Sequence, residues 1–86
     1  MEDIAKVVHH FILREFLPGE DPNELTTETE LVSSGVLDSV ATLRLVTFLE
    51  ERFGIAVEAH EADEEHLNTL ETIADLVAAK RAGARR

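Results

Sequence analysis

A chain of 86 residues with 44% apolar content allows one domain with a modest core, and the absence of cysteine excludes disulfides and thiolate metal sites. Eighteen acids against eight bases leave a net charge of −10, a surface that repels phosphate backbones and so speaks against nucleic-acid binding; it suits solubility and, equally, steering toward basic partner proteins. No apolar run approaches the ~20 residues of a membrane span, and the start Met1-Glu2-Asp3 lacks a basic leader, so a cytoplasmic monomer is expected.

The first helix is predicted from about Glu2 to Phe16. Ile4, Val7, Val8, Phe11 and Ile12 recur at helical spacing, Glu2 and Asp3 suit the positive end of the dipole, and Leu17-Pro18-Gly19 ends the element. His9 and His10 are adjacent and diverge by about 100°, which prevents both from facing one metal and marks them as solvated or rim residues. From Gly19 to Asp38 no period is sustained. A loop of about twenty residues is uncommon in a compact domain and has to be pinned, with Leu25, Leu31 and Val36 or Leu37 as the available anchors.

Gly35-Val36-Leu37-Asp38-Ser39-Val40 opens the most informative helix. Asp38 and Ser39 both favour N-caps, and no Gly or Pro follows until Gly54, so a helix of about fourteen residues begins here with the Ser39 hydroxyl near solvent. At roughly 100° per residue, Thr42, Leu45, Val46, Leu49 and Phe53 share a core-facing sector. Val40, Leu43 and Thr47 fall in a second sector beside Ser39. That patch reads either as a landing surface for other proteins or as rim packing against a loop. Ser33 and Ser34 compete with Ser39 as nucleophiles in principle, but they lack the helix start and the Asp-Ser context.

Ile55-Ala56-Val57 has no partner strand and reads as an extended connection whose Ile55 and Val57 plug the core. Asp63 caps one short turn through Leu67. Glu58, Glu61, Asp63, Glu64 and Glu65 crowd this segment without the alternating acids and central Gly of a calcium loop. The last helix starts near Asn68 or Thr69, with Glu71 completing a capping box if Asn68 is the cap, and carries Leu70, Ile73, Ala74 and Val77 inward. Lys80, Arg81, Arg85 and Arg86 suit its C-terminal end, Gly83 is expected to stop it, and residues 83–86 to fray. The predicted fold is all-α, a small up-and-down four-helix bundle of three main helices and one short one with a long first loop, in a single domain over residues 1–86 with its core at about 2–80.

Enzymatic chemistry by the chain itself is not expected. A serine nucleophile needs a base in reach and a third orienting group, no His stands near Ser39 in sequence, His60 and His66 are distant, and no Gly-x-Ser-x-Gly elbow occurs.

Leu37-Asp38-Ser39-Val40 at a helix start, Phe53-Gly54-Ile55 after it and a further helix opening at Thr69-Leu70 together resemble the acyl carrier proteins, over about Ile4 to Val77. The resemblance implies that a phosphopantetheinyl transferase, using coenzyme A and magnesium, links 4′-phosphopantetheine to Ser39, with Asp38 presenting the serine. The arm's thiol then carries an acyl or aminoacyl group as a thioester between a loading ligase or synthase and downstream transferases. Val40, Leu43 and Thr47 become the docking patch, with Glu50, Glu51, Glu61, Glu64 and Glu65 as its charged surround.

Where the fatty-acid branch tends to carry acids early in this helix, this chain has Ala41 and Arg44. Ser34-Gly35-Val36-Leu37-Asp38-Ser39 is more similar to D-alanyl and other aminoacyl carriers, and Arg44-Leu45-Val46 to peptidyl carriers, although Asp38 fills a position where those often have His. The reading favours a free-standing carrier of a specialised aminoacyl or polyketide pathway over the housekeeping fatty-acid carrier. Its rival from another class is an unmodified helical interaction module that uses the Val40 and Leu43 patch only for binding.

Overall fold

A computed structural model of the chain describes residues 3–84. The expected first helical residue, Glu2, and the basic pair Arg85 and Arg86 lie outside the described residues. Four α-helices are present among those described: α1 (Ile4–Phe16), α2 (Ser39–Phe53), the single turn α3 (Glu64–Leu67) and α4 (Leu70–Ala84). Short 3₁₀ turns at Pro22–Glu24 and Ala59–Glu61 interrupt the connections, and no residue described is in a strand.

Each helix starts where a side chain can satisfy its first backbone donors. Asp3 accepts the Lys6 N–H at 3.3 Å to open α1, and Asp63 accepts the His66 N–H at 3.0 Å to open α3. At α4, of the two expected starts Asn68 and Thr69, the threonine is the one that caps. Thr69 accepts the Thr72 N–H at 3.1 Å while Thr72 Oγ1 accepts the Thr69 N–H at 3.2 Å, a reciprocal box closed by a threonine in place of the Asn68–Glu71 box that an Asn68 cap would have made. Gly54 ends α2 in the left-handed region at φ 66°, a conformation that costs glycine nothing sterically. Gly83, in contrast, does not stop α4, which continues through it to Ala84.

The core gathers Val8, Phe11 and Ile12 from α1, Ala41, Leu45 and Leu49 from α2, Leu67 from α3, and Leu70, Ile73, Leu76 and Val77 from α4. Helix α4 is central, packing against α1, α2 and α3. Leu25, Leu31, Leu37 and Ile55 are buried from the connections, so the long loop and the extended segment are anchored by the residues predicted for that purpose, with Val36 and Val57 half-buried beside them.

Helix α2 is turned from its predicted orientation. The buried trio Ala41, Leu45 and Leu49 lies about 50° around the wheel from the centre of the expected sector, and Thr42, Val46 and Phe53 are only half-buried at its edge. An aromatic pair accounts for the turn. Phe48 of α2 stacks on Phe11 of α1 with ring centroids 4.0 Å apart and planes within 13°, and Phe11 meets Phe16 edge-on at 5.6 Å.

The long loop is also held by one side chain. The Asn68 carboxamide oxygen accepts N–H groups from Val32 (2.9 Å) and Ser33 (3.1 Å), and the Asn68 backbone carbonyl accepts that of Leu31. With the Thr27 carbonyl accepting the Glu71 N–H at 3.2 Å, these bonds tie the loop to the α3–α4 junction. His9 is a rim residue, donating from Nε2 to the Pro22 carbonyl at 3.0 Å, and His10 is exposed.

Candidate functional site

The loop delivers the chain into α2 through a tight sequence of constraints. Gly35 adopts φ 88° to close a turn whose N–H reaches the Val32 carbonyl at 3.1 Å, and the Leu37 N–H then returns to the Leu31 carbonyl at 2.9 Å. Leu31 and Leu37 are both buried, which fixes where Asp38 must emerge. Asp38 is extended and caps the helix: its Oδ1 accepts the Ala41 N–H at 2.8 Å and its carbonyl accepts that of Thr42 at 2.8 Å. Ser39 is consequently the first helical residue.

Ser39 is exposed, and its hydroxyl has no hydrogen-bond partner among the described residues. The competing serines differ in this respect. Ser33 Oγ donates to Glu64 Oε2 at 2.9 Å and Ser34 Oγ to the Leu31 carbonyl at 3.3 Å, so both hydroxyls are committed to holding the loop. Only the hydroxyl of Ser39 combines exposure with a helix N-terminus, where unpaired backbone N–H groups and the positive end of the dipole favour an attached phosphate by about 0.3–1 kcal/mol. Asp38 opposes that through like charge, and its capping bond gives the acid a structural reason to be there.

Val40 and Leu43 are each 67% exposed and Thr47 is exposed beside them. The turn of α2 described above puts this trio opposite the buried Ala41-Leu45-Leu49 face. Rim packing against a loop is therefore not their role. Most large side chains of this fold find cover, and these two aliphatic ones do not.

The expected charged surround divides into two groups. Glu51 and Glu65 are exposed, as is Glu64, which holds Ser33. Glu50 and Glu61 are half-buried and are not free surface charges. Glu50 Oε2 accepts the Val57 N–H at 2.9 Å and clamps the extended connection to α2. Glu61 Oε1 meets Lys80 Nζ at 2.8 Å and accepts the Glu58 N–H at 2.9 Å, and the lysine holds the Glu61 carboxyl below its usual range. Lys80 is thus a tie between the α2–α3 connection and α4, a role beyond the helix-end cation expected from sequence. His66 Nδ1 stands 2.7 Å from Asp63 Oδ1; this bond raises the imidazole above its ordinary value and lowers the carboxyl below its own.

Arg44 sets the α1–α2 geometry near the site. Its guanidinium meets Glu15 Oε1 at 2.8 Å and lies over the Phe16 ring, 5.8 Å from the centroid. Sequence reasoning noted this arginine as a departure from the fatty-acid branch and as part of a likeness to peptidyl carriers, with no structural role. It also missed Ala41, Phe48 and Leu76 as packing residues and Asn68 as the loop's anchor.

Comparison with known proteins gives a consistent result. The family model described as "Phosphopantetheine attachment site" matches residues 12–79. The D-alanyl carrier protein of Streptococcus suis is 37% identical over 71 residues, covering 83% of this chain and 86% of its own, and that of Bacillus velezensis is 38% identical over 50 residues, 58% of this chain and 64% of its own. Among solved structures, KstB-PCP(apo) superposes with a TM-score of 0.67 at 29% identity, covering 87% of this chain and 82% of that one.

Proposed function

Because the chain belongs to the family of carrier proteins with a phosphopantetheine attachment site, we propose that Ser39 is the residue that receives the arm and that the cargo is an aminoacyl group. A protein of this family is a substrate for enzymes and not a catalyst. The observation that supports Ser39 is its exposed, unengaged hydroxyl at the first position of α2, whereas the hydroxyls of Ser33 and Ser34 are held in hydrogen bonds to Glu64 and the Leu31 carbonyl. In the transfer, Ser39 Oγ attacks the phosphorus of coenzyme A that bears the pantetheine. The new P–O bond replaces the bridging P–O bond, the nucleotide bisphosphate leaves, and the hydroxyl proton passes to a base of the transferase. The thiol at the end of the bound arm supplies the thioester chemistry that a cysteine-free chain lacks.

The chain's own residues orient and present. Asp38 fixes the register of the helix start, buried Leu31 and Leu37 fix the approach of the loop, and Val40, Leu43 and Thr47 form the apolar surface on which the transferase, the loading ligase and later transferases seat. Glu51, Glu64 and Glu65 supply charge around it. The carrier domain works in the cytoplasm, the compartment of coenzyme A and its transferase.

Similarity to the D-alanyl carrier proteins favours the aminoacyl branch, and Arg44, drawn into the Glu15 pair where the fatty-acid branch carries acids, supports it. The test uses protein converted to the holo form with coenzyme A and a broad-specificity transferase. Offered D-alanine, ATP and a D-alanine-activating ligase, it should form an aminoacyl thioester that hydroxylamine releases, while Ser39→Ala forms none. Holo protein that loads a fatty acyl group and refuses every amino acid contradicts the aminoacyl reading.

A further inference from the structure

Asn68 stands between α3 and α4 and is itself held fast. Its N–H reaches the Glu64 carbonyl at 3.0 Å, and the helices on either side of it are rooted in the core by Leu67 and Leu70. From that fixed point it accepts from three successive N–H groups of the long loop: Leu31 on its backbone carbonyl, Val32 and Ser33 on its carboxamide oxygen. Ser33 Oγ, donating to Glu64, braces the same stretch from α3.

The bonds continue from the loop to the attachment serine. Leu31 and Val32 turn their N–H groups to Asn68 and their carbonyls to the turn before α2, where they accept from Leu37 at 2.9 Å and from Gly35 at 3.1 Å. Leu37 delivers Asp38, whose Oδ1 and carbonyl accept from Ala41 and Thr42, each at 2.8 Å. Ser39 lies inside that cap. It is exposed, and a residue at the first position of a helix has no intrahelical acceptor for its own N–H, so the placing of its hydroxyl depends on what holds Asp38.

We propose that Asn68 is a positioning residue for attachment of the arm, acting on Ser39 through Leu31, Leu37 and Asp38. The proposal rests on Ser39 being the attachment point. In-line attack on phosphorus needs the oxygen about 3–3.5 Å from its target, and a misplacement of about 1 Å can cost a hundred-fold in rate. The body of α2 is held separately, by Leu45 and Leu49 in the core and by Phe48 against Phe11. Loss of the anchor therefore loosens the cap and the first turn while the face carrying Leu43 and Thr47 stays in place for the transferase. The loss falls on kcat and leaves KM, because seating is preserved and the reacting oxygen is not. A general loss of stability does not give this split, since a chain that stays folded keeps both parameters.

The test measures arm transfer from coenzyme A by a broad-specificity transferase over a range of concentrations of the full chain, beside amide hydrogen exchange at Ala41 and Thr42. Asn68→Ala should lower kcat about ten-fold with KM within about two-fold, and speed exchange at both amides. Asn68→Asp, which keeps an acceptor at the same place, should restore rate and protection. The control is Val8→Ala. Val8 is buried in α1 a turn before Phe11, and since Phe11 faces Phe48 while Glu15 meets Arg44, the helices run antiparallel and Val8 lies toward the end of α2 away from Ser39. This variant loses core methyl groups, and with them stability, yet should transfer the arm at the wild-type rate. An unchanged kcat in Asn68→Ala, a loss confined to KM, an equal loss in Val8→Ala, or Asn68→Asp as slow as alanine overturns the proposal. Should Asn68→Ala fail to fold, Asn68→Ser, whose oxygen is one bond too short to reach the loop, takes its place in every comparison. A wild-type chain that takes up no arm at Ser39 overturns the attachment reading and this proposal with it, whereas a wild-type chain that is modified and matched by Asn68→Ala overturns the positioning alone.

Discussion

Replacing Asn68 by alanine removes the acceptor that holds the long loop, and the cost can be worked from its bonds. The carboxamide oxygen receives two backbone donors, Val32 N–H at 2.9 Å and Ser33 N–H at 3.1 Å. A net hydrogen bond contributes about 0.5–1.5 kcal/mol, with more at stake where the freed group stays shielded from water. Val32 is half-buried and loses near the upper figure, whereas exposed Ser33 rehydrates and loses little. The balance is a destabilisation of about 1–2 kcal/mol, or a lowering of Tm by about 4–8 °C for each kcal/mol in a domain of this size. Urea unfolding followed by circular dichroism measures it, and amide hydrogen exchange at Val32 and Ser33 locates it. Asn68→Asp keeps an acceptor at the same place and should retain most of the stability. Equal losses in the two variants, or an Asn68→Ala change below about 0.5 kcal/mol with Val32 still protected, would refute the assignment of the loop's anchorage to this side chain.

Asp38 combines a capping bond with a proposed role toward the transferase, and two substitutions separate them. Asp38→Ala should cost about 0.5–2 kcal/mol in thermal or urea unfolding, while Asp38→Asn keeps the cap and the stability yet slows arm attachment if the carboxylate presents Ser39. Leu43→Glu should leave stability within about 0.5 kcal/mol, since the side chain is 67% exposed, and should lower the rate of arm attachment at least ten-fold; an unchanged rate removes Leu43 from the docking surface. The His66 imidazole, raised by its bond to Asp63, should titrate above 6.5 when followed by NMR, and Asp63→Asn should return it toward that value. The sign for stability follows. The His66 contribution is fully present below pH 6.5 and fades as pH rises through the folded value, whereas that of Asp63 is present above 3.8 and fades as pH falls through its own lowered value, so the α3 cap is strongest between these limits.

Periodicity and capping rules located the helices well because those signals are local. Asp3, Asp38 and Asp63 cap where short polar residues precede apolar runs, and Ile4, Val8, Phe11 and Ile12 fall at the spacing that α1 needs. The rotation of α2 was not legible, because it depends on Phe48 finding Phe11 across the helix interface, a contact that no spacing within α2 encodes. Asn68 stood in the sequence only as one of two candidate caps for α4, because its partners Val32 and Ser33 lie far away in the chain and no local signal points to them. Glu50 and Glu61 were read as surface charge, and each turned out to hold a connection through one backbone N–H or one lysine. At the site, the Asp38-Ser39 pair and the patch beside it were visible in the sequence. What set Ser39 apart from Ser33 and Ser34 was only partly visible, since the engagement of the other two hydroxyls required Glu64 and the folded-back loop.

The central claim is that one hydroxyl, at the first position of α2, is the point of attachment. Fragmentation mass spectrometry of the chain after reaction with coenzyme A and a broad-specificity transferase tests it most directly. The account predicts a single phosphopantetheine on the peptide containing Ser39, retained in Ser33→Ala and Ser34→Ala and lost in Ser39→Ala. An arm found on Ser33 or Ser34, or an unmodified chain under conditions that fully modify a control carrier, contradicts it.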